Sequence, residues 1–203
     1  MNPKPAKLAI LISGSGTTML NLAKVISDGR LSAEICGVIS SRNDAAGVIR
    51  AQNLGIPATI IHRKDFASAA LFSAAITNCI DNLQVDLVCM AGFLCFWSIP
   101  PHWVGRTLNI HPSLLPKFGG RGMHGLHVHQ AVIASGEQIS GCTVHFADNE
   151  YDHGPIILQR SCPVLPGDTP TSLAARVFQE EIIAYPEAIN QIWTGQSTAL
   201  PPC

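Results

Sequence analysis

Short apolar runs alternate with longer amphipathic segments through the first half of the chain. The predicted strands are residues 8–13, 34–40, 58–62 and 87–91. The predicted helices are residues 17–28 with Thr17 or Ser15 near the N-cap, 45–54 with Asp44 as the cap, and 66–83. Strands that alternate with helices in this way favour a parallel sheet with helices on both faces.

The second half of the chain is less regular. It predicts strands at residues 107–111, 141–147 and 155–164, and helices at 126–135 and from a Thr169 or Thr171 cap to about Trp193. A Pro- and Gly-rich loop at 112–122, a polar loop at 148–154 and an irregular tail at 194–203 complete the pattern.

The whole pattern predicts an α/β fold. We expect an open, mostly parallel twisted sheet with helices on both faces, and with its last strands partly antiparallel. No internal repeat or low-complexity linker interrupts the chain. One domain is therefore expected over residues 1–203, with its core at about 7–193.

Composition argues against nucleic-acid binding and against a fold that depends on metals or disulfides. The chain has 203 residues, of which 47% are hydrophobic and 13% charged, and its formal net charge is −1. A chain of this length should bury about 70% of its unfolded surface, enough for a core without metals or disulfides. Without a basic excess, nucleic-acid binding has no electrostatic support, although a small phosphorylated ligand remains compatible.

The cysteines indicate a reducing compartment. There are seven, none forms a CxxC pair, and several lie inside apolar runs, such as Cys36 and Cys89. These features are typical of small core residues. Residues 1–7 lack the architecture of a signal peptide, and no apolar stretch approaches the ~18 residues of a membrane span. The sequence therefore predicts a cytoplasmic protein with no membrane partner.

A glycine-rich turn with the sequence SGSGTT, residues 13–18, joins the first predicted strand to the first predicted helix. Glycines let the backbone approach a ligand closely, and the free N–H groups at a helix start suit a phosphate. The turn is not the GxGxxG fingerprint and lacks the Lys of a P-loop. It indicates either a phosphate site or an ordinary strand-to-helix turn.

Histidines are concentrated in the second half, six of the eight lying between His111 and His153. His124 and His127 are three residues apart, a spacing at which helical side chains share a face, and His129 follows closely. No matching cysteine or carboxylate cluster completes a metal site. We therefore predict no metal, and interpret these residues as loop or packed histidines.

A sharper constellation is NIHPSLLP, residues 109–116, where a predicted strand ends in a Pro-locked loop. Alternation places Asn109 and His111 on the same side of that strand. An amide and an imidazole directed at one point can hold a carbonyl oxygen that becomes an oxyanion. Asp152, in the loop between the next two strands, can raise the pKa of the imidazole and relay a proton. The alternative is a turn-forming Asn, a surface His and an ordinary turn Asp.

These segments occur in a characteristic order: SGSGTT at 13–18, AGF at 91–93, LNIHPSLLP at 108–116, GCTVHF at 141–146 and DHGPIILQ at 152–159. The combination resembles the phosphoribosylglycinamide formyltransferases, also called glycinamide ribonucleotide transformylases, over about residues 7–193. The NIHPSLLP block with a downstream Asp-x-Gly-Pro is specific to folate-dependent formyltransferases. The resemblance implies their Rossmann-like fold.

The resemblance also implies a reaction. The formyl group of 10-formyltetrahydrofolate, a co-substrate, passes to the amine of glycinamide ribonucleotide in de novo purine biosynthesis, giving formylglycinamide ribonucleotide and tetrahydrofolate. Asn109 and His111 then bind the oxygen of the tetrahedral intermediate. Asp152 orients His111 or favours its protonated form, and it takes part in removing the proton that leaves the amine. Both substrates are small molecules, no metal takes part, and the protein is expected to be a monomer or a homodimer.

The binding residues follow from the same resemblance. The ribonucleotide phosphate is expected on Gly16, Thr17 and Thr18, and the rest of the ribonucleotide on Gly92, Pro112 and Glu181. The folate is expected along Leu94, Cys95, Phe96, Trp97, Phe146 and Ala147. The bond between Leu115 and Pro116 is expected to be cis.

The chain departs from familiar family members at several positions. Cys95 stands where an Arg is common beside the pterin pocket, and His153 replaces a small residue after Asp152. Thr17 and Thr18 replace the common Ser-Asn pair. The loop after residue 116 is longer than the shortest family versions. These departures concern the folate contacts, the phosphate turn and the surroundings of Asp152.

Four other functions remain as alternatives. A methionyl-tRNA formyltransferase is expected to carry an added C-terminal domain and a basic surface, a formyltetrahydrofolate hydrolase an N-terminal regulatory domain, and a sugar-nucleotide formyltransferase a partner domain. We expect a chain of 203 residues to have no room for these additions. A nucleotide-binding regulatory module needs only the glycine turn, and gives no reason for Asn109, His111 and Asp152 to occur together.

Overall fold

Residues 4–196 are described by the structure, a computed structural model. The strands are β1 (Ala6–Ile12), β2 (Ala33–Ser40), β3 (Ala58–Ile60), β4 (Leu87–Met90), β5 (Thr107–His111), β6 (Ile139–Phe146) and β7 (Ile156–Pro163). The α-helices are α1 (Thr17–Ser27), α2 (Ala46–Asn53), α3 (Ala69–Asn82), α4 (Leu126–Ala134) and α5 (Pro170–Trp193). Two compact units divide the chain between Leu108 and Asn109, inside β5. The expectation of one domain stays a prediction.

The first unit is built on a parallel sheet. β1 pairs in parallel with β2 and with β4, and β2 pairs in parallel with β3. The hydrogen-bonded strand order is β3-β2-β1-β4-β5-β6-β7. Because the order reverses direction at β1, the segments that follow β1 and β4 leave the sheet side by side, at the edge where open α/β sheets bind ligands. The mostly parallel α/β fold is confirmed.

The start of α1 is set by a glycine between the two residues expected near its N-cap. Gly16 is the N-cap, with φ 71° and ψ 24°, and no side chain caps the helix. Ser15 and Thr17, expected near the N-cap, flank this glycine, but neither side chain caps the helix. A left-handed residue turns the chain abruptly from strand into helix, and glycine adopts that φ without the steric cost of a Cβ.

The caps of α2 and α3 also correct the sequence prediction. Asp44 does not cap α2, because its carboxylate pairs with Arg42 at 2.6 Å and Ala45 is the N-cap. α3 begins at residue 69 rather than 66, because the Ser68 hydroxyl accepts a hydrogen bond from the Leu71 N–H and so caps the helix there. Such side-chain caps set where a helix can begin.

The second unit ends in antiparallel strands, as expected. β6 and β7 pair antiparallel, with Gly141 opposite Ser161 and Thr143 opposite Gln159. α5 contacts both strands, and Thr169 caps it with Ser172 completing a capping box. Thr169, rather than Thr171, is therefore the N-cap of α5.

The six cysteines among residues 4–196 form no disulfide. Those that are buried, as expected of small core residues, are Cys89, Cys142 and Cys162; those that are partly exposed are Cys36, Cys79 and Cys95. In the same range, no helix has both the length and the apolar character needed to cross a membrane. Most of the irregular tail expected at 194–203 lies outside the described residues.

Gly141 on β6 leaves no room for a side chain, because an added Cβ would overlap the backbone carbonyl oxygen of Arg160 on β7. Gly141→Ala should therefore lower the free energy of unfolding by about 1–3 kcal/mol, the usual cost of overpacking. Urea denaturation measures this loss. Gly37→Ala is the matched control, since its Cβ would meet only the flexible Leu83 side chain. Equal losses in the two variants would contradict the prediction.

Candidate functional site

Three strand ends of the first unit are tied together by Ser13, which follows β1. Its hydroxyl lies 2.6 Å from the Ser41 hydroxyl, after β2, and accepts a hydrogen bond from the Leu94 N–H at 2.8 Å, after β4. Its backbone N–H donates to the Gly92 carbonyl at 3.0 Å. Buried polar groups need such partners, and this network holds the glycine turn beside the segment that follows β4.

The glycine turn, residues 13–18, presents backbone N–H groups at the start of α1. Within the described chain, no group accepts a hydrogen bond from the N–H of Ser15, Gly16 or Thr17. No acidic residue lies in the first turn of α1, so no carboxylate there opposes an anion at the positive end of the helix dipole. The arrangement, with Thr18 buried behind it, can hold a phosphate.

The segment after β4 offers apolar surface. Gly92 has φ 75°, and the space where its Cβ would lie is open. Leu94 and Phe96 are 53% and 40% exposed, and Cys95 is partly exposed. Trp97 is buried and its indole N–H donates to a threonine hydroxyl at 3.1 Å. The Trp97 side chain therefore belongs to the core of the first unit, whereas Leu94 and Phe96 are available to a ligand.

The second unit brings together Asn109, His111, His145 and Asp152, which we call the imidazole–carboxylate cluster. β5 carries the first two, β6 carries His145, and the loop before β7 carries Asp152. Asp152 Oδ2 lies 3.4 Å from His111 Nδ1, and its Oδ1 lies 3.4 Å from Asn109 Nδ2 and 3.7 Å from His145 Nε2. The three residues expected from the sequence are thus brought together, with Asn109 and His111 both next to the Asp152 carboxylate.

His145 is the member of the cluster that sequence reasoning missed. Its Nδ1 lies 2.8 Å from the Phe146 carbonyl oxygen, and because a carbonyl only accepts, Nδ1 carries a proton. In the neutral ring, Nε2 then accepts the hydrogen bond from Asn109 Nδ2 at 3.1 Å. This bond fixes the direction of the Asn109 amide. The available signal was a polar residue in the apolar strand, on the same side as Thr143.

His111 is held through both sides of its ring. Nε2 lies 2.8 Å from the Phe118 carbonyl oxygen, so it carries a proton, while Nδ1 faces Asp152. Burial lowers the pKa of His111 and outweighs the Asp152 carboxylate and the Phe118 carbonyl, which raise it. In a neutral ring with its proton on Nε2, the Nδ1 lone pair points toward the carboxylate. His111 and Asp152 together can therefore take up one proton.

Asp152 is ionised despite its surroundings. Burial acts to raise its pKa, but His145, His111 and the Gly120 N–H, which donates to Asp152 at 2.9 Å, together bring the pKa below its usual value. Asp152 also has φ 53°, and a Cβ on Gly119 would crowd its side chain. Left-handed residues other than glycine cost about 1–3 kcal/mol and cluster at functional sites.

A buried network fixes the loop after β5 to the last two strands. Thr143 Oγ1 donates to the Ser113 carbonyl at 2.7 Å and accepts from the Leu115 N–H at 3.0 Å. Gln159 Nε2 donates to Thr143 Oγ1 and to the Leu115 carbonyl, both at 2.9 Å. The bond from Leu115 to Pro116 is cis, which confirms the expectation. The network holds this loop next to His111.

Glu181 on α5 has a carboxyl that no described residue hydrogen-bonds. Burial raises its pKa to about 7. Glu181 also affects Cys142 on β6. The pKa of the Cys142 thiol is raised to about 12, mainly by burial and secondly by the charge of Glu181. A desolvated carboxyl without a partner is an acceptor that a ligand hydroxyl can satisfy. Pro112, expected near the same ligand, is partly exposed after β5.

The other residues expected near the site are placed as follows. Phe146 and Ala147 are buried at the end of β6, with the Phe146 N–H donating to the Pro155 carbonyl at 2.9 Å. The glycine turn and segment 92–97 lie in the first unit, whereas Pro112, Glu181 and the cluster lie in the second.

The remaining histidines do not assemble a metal site. His124 and His127 are exposed, with ring centroids 5.5 Å apart, and His129 is buried with an Nδ1 that lacks a partner in the described chain. His153 Nδ1 lies 3.0 Å from the Asp148 carboxylate. Across residues 4–196, no three His, Cys, Asp or Glu side chains are grouped to hold a metal ion.

Comparison with known proteins supplies named relatives. Trifunctional purine biosynthetic protein adenosine-3 of Drosophila melanogaster is 38% identical over 99% of this chain, which spans 15% of that relative. Phosphoribosylglycinamide formyltransferase of Haemophilus influenzae is 36% identical over 94% of this chain and 88% of the relative. Glycinamide ribonucleotide transformylase 1 from Symbiobacterium toebii has a similar structure, with a TM-score of 0.89, 39% identity, and coverage of 95% of this chain and 89% of that one.

A sequence model of a family described as formyl transferase matches residues 6–189, a range that contains the glycine turn and the whole imidazole–carboxylate cluster. The similarity to the Haemophilus relative extends over 88% of the length of that relative. With the family match, the full-length relative and the similar structure in agreement, the chain belongs to the formyl transferase family.

Proposed function

We propose that the chain transfers the formyl group of 10-formyltetrahydrofolate to the amine of glycinamide ribonucleotide, a step of purine biosynthesis. The observation that carries the proposal is the Asp152 carboxylate between His111, His145 and Asn109, in a chain of the formyl transferase family. The names of the Haemophilus and Symbiobacterium relatives support this choice of substrate. The products are formylglycinamide ribonucleotide and tetrahydrofolate.

The proposed reaction passes through an oxyanion. The amine nitrogen attacks the formyl carbon, and one electron pair of the carbonyl moves onto its oxygen. The His111 Nε2–H is a donor suited to that oxygen. It now donates to the Phe118 carbonyl at 2.8 Å, so substrate binding exchanges a neutral acceptor for a charged one. Asn109 can likewise exchange its 3.4 Å contact with Asp152 and keep its bond to His145.

The proposed proton transfers use Asp152 and His111 as a pair. The attacking amine must lose one proton, and the folate nitrogen must gain one when its bond to the formyl carbon breaks. An ionised Asp152 facing the unprotonated Nδ1 of His111 forms a site for that proton. Water connects the amine to this pair in the proposal. His145 keeps the Asn109 amide directed while the charge moves.

The ribonucleotide contacts are proposed from the free groups on each unit. The phosphate is assigned to Gly16, Thr17 and Thr18, because the turn has free N–H groups and no acidic neighbour in the first helical turn. Glu181 is assigned to a ligand hydroxyl, because its desolvated carboxyl has no partner in the described chain. The remaining proposed ribonucleotide contacts are Gly92 and Pro112.

The folate contacts are proposed from exposed apolar surface. Leu94 and Phe96 supply it, with Cys95 between them. Trp97 is assigned a supporting role through its buried ring, and Phe146 and Ala147 the same role at the end of β6. We also propose a cytoplasmic location, which the six cysteines without disulfides support.

A turnover assay tests the proposed activity. The protein is incubated with 10-formyltetrahydrofolate and glycinamide ribonucleotide, and loss of the formyl folate is followed together with formation of formylated ribonucleotide. We expect both to change in equal amounts. Loss of formyl folate that ignores the amine would assign a hydrolase, and binding without turnover would assign a regulatory module.

His111→Ala should lower kcat by about 10²–10³-fold, because it removes a donor that acts on the transition state. The Kd of glycinamide ribonucleotide, measured by calorimetry, should not change. His102→Ala, at an exposed histidine of the first unit, is the control and should behave as wild type. Thermal unfolding of both variants checks that they fold. A near-normal kcat in His111→Ala would refute the role of this residue.

Asp152→Asn should lower kcat by about 10²–10⁴-fold, the usual contribution of general acid–base catalysis. Because the Asp152 charge raises the pKa of His111, its loss should move the acid limb of the pH–kcat/KM profile to lower pH. Steady-state kinetics across pH measure both effects. Asp28→Asn, an exposed carboxylate at the end of α1, is the control. If the acid limb of Asp152→Asn stays at the wild-type pH, Asp152 is an ordinary turn residue with no role in proton transfer.

Glu181→Gln should change how stability depends on pH. The native pKa of Glu181, about 7, lies above its usual 4.5, so the unfolded chain ionises first as the pH rises. The free energy of unfolding should therefore fall between these two values, by up to about 3 kcal/mol, and Glu181→Gln should lose this decline. Urea denaturation at a series of pH values measures it. Glu187→Gln, more exposed on the same helix, should keep the decline, and parallel curves for both variants would contradict the assignment.

A further inference from the structure

Helix α2 packs directly on the glycine turn. The backbone N–H of Gly47, in the first turn of α2, donates to the Gly14 carbonyl at 3.1 Å. A Cβ on Gly16 would lie 2.8 Å from Gly47 Cα, so the two backbones are in contact. One helical turn further, Arg50 Nη1 donates to the Ser15 carbonyl at 2.9 Å. Two successive carbonyls of the turn are therefore bonded to the same helix.

These two bonds set the direction of the N–H groups on the other side of the turn. In a trans peptide unit, the carbonyl and the following N–H lie in one plane and point in opposite directions. With the Gly14 and Ser15 carbonyls turned toward α2, the N–H groups of Ser15 and Gly16 point away from it. Successive N–H groups arranged in this way form an anion-binding concavity.

Arg50 also carries a charge that no acidic group in the described chain neutralises. Its bond to Ser15 is with a backbone carbonyl, and no carboxylate of residues 4–196 pairs with it. Arg42, a few residues earlier, differs in this respect because Asp44 binds its guanidinium at 2.6 Å. The turn itself contains no Lys or Arg, so Arg50 is a cation bonded directly to the backbone of the proposed phosphate site.

We propose that Arg50 is a positioning residue for phosphate recognition. Its guanidinium holds the Ser15 carbonyl so that the Gly16 N–H is directed at the phosphate, and its charge favours the dianion without contact between the two. Arg50 acts through the turn and takes no part in formyl transfer. This inference rests on the proposed function, which places the ribonucleotide phosphate on the same turn.

The test compares Arg50→Ala, Arg50→Gln and Arg50→Lys with wild type. The probes are inorganic phosphate, whose Kd is measured by calorimetry, and glycinamide ribonucleotide in steady-state kinetics. Arg50→Ala should raise the Kd of phosphate and the KM of the ribonucleotide about tenfold, the loss of one charge-assisted hydrogen bond. The kcat and the KM of the formyl folate should not change. Arg50→Lys should restore more of the affinity than Arg50→Gln, because it keeps the charge. Arg42→Ala is the matched control and should bind phosphate as wild type does.

The outcomes separate this inference from the proposed function. If wild type and Arg50→Ala bind phosphate equally, Arg50 has no positioning role, while the phosphate site on the turn stands. If wild type binds no phosphate, the assignment of the phosphate to the turn fails, and the role of Arg50 fails with it. A change in kcat or in the KM of the formyl folate as large as that for the ribonucleotide would show a general structural defect and overturn the inference.

Discussion

The charge of Asp152 is the constraint on which the second unit depends. A carboxylate removed from water needs polar partners, and those of Asp152 come from different parts of the unit: the Asn109 amide from β5 and the Gly120 N–H from the loop that follows it, with His145 of β6 at 3.7 Å. These parts must therefore keep one geometry. The bonds that Thr143 makes to the loop, supported by the neighbouring strand β7, maintain it without adding charge to the site.

The phosphate site proposed in the first unit depends mainly on neutral groups. A phosphate is usually met by cations, yet only 13% of this chain is charged and the glycine turn contains no basic residue. In the proposed site, backbone dipoles take over most of this role, and they do so only when their direction is fixed, since ordering a free peptide group has an entropic cost. The hydroxyl of Ser13 and the contacts of α2 supply that order. The low charge of the composition is thus compatible with anion binding.

Sequence reasoning succeeded where the controlling forces are local. In the first half of the chain the strand–helix alternation located each strand and α-helix, because burial on both faces of a parallel sheet demands continuous apolar runs. It failed at helix starts, where several polar residues compete. Asp44 looked like a cap but pairs with Arg42, and Ser68 took the role at α3 because its hydroxyl reaches the right N–H. Gly16 as the cap of α1 depends on a left-handed turn that side-chain preferences do not reveal.

By itself the sequence determined the elements of the fold. It also placed Asn109 and His111 on the same side of their strand, because side chains alternate along a strand with a local period of two. The sequence also offered Asp152 as a carboxylate partner of the imidazole, and the resemblance of NIHPSLLP and its companion blocks gave it a role in the reaction. Only the tertiary structure decided that His145 directs the Asn109 amide and that Arg50 holds the glycine turn. These partners are 36 and 35 residues apart in the chain, and contacts at such separations follow from how elements pack, which no local period encodes.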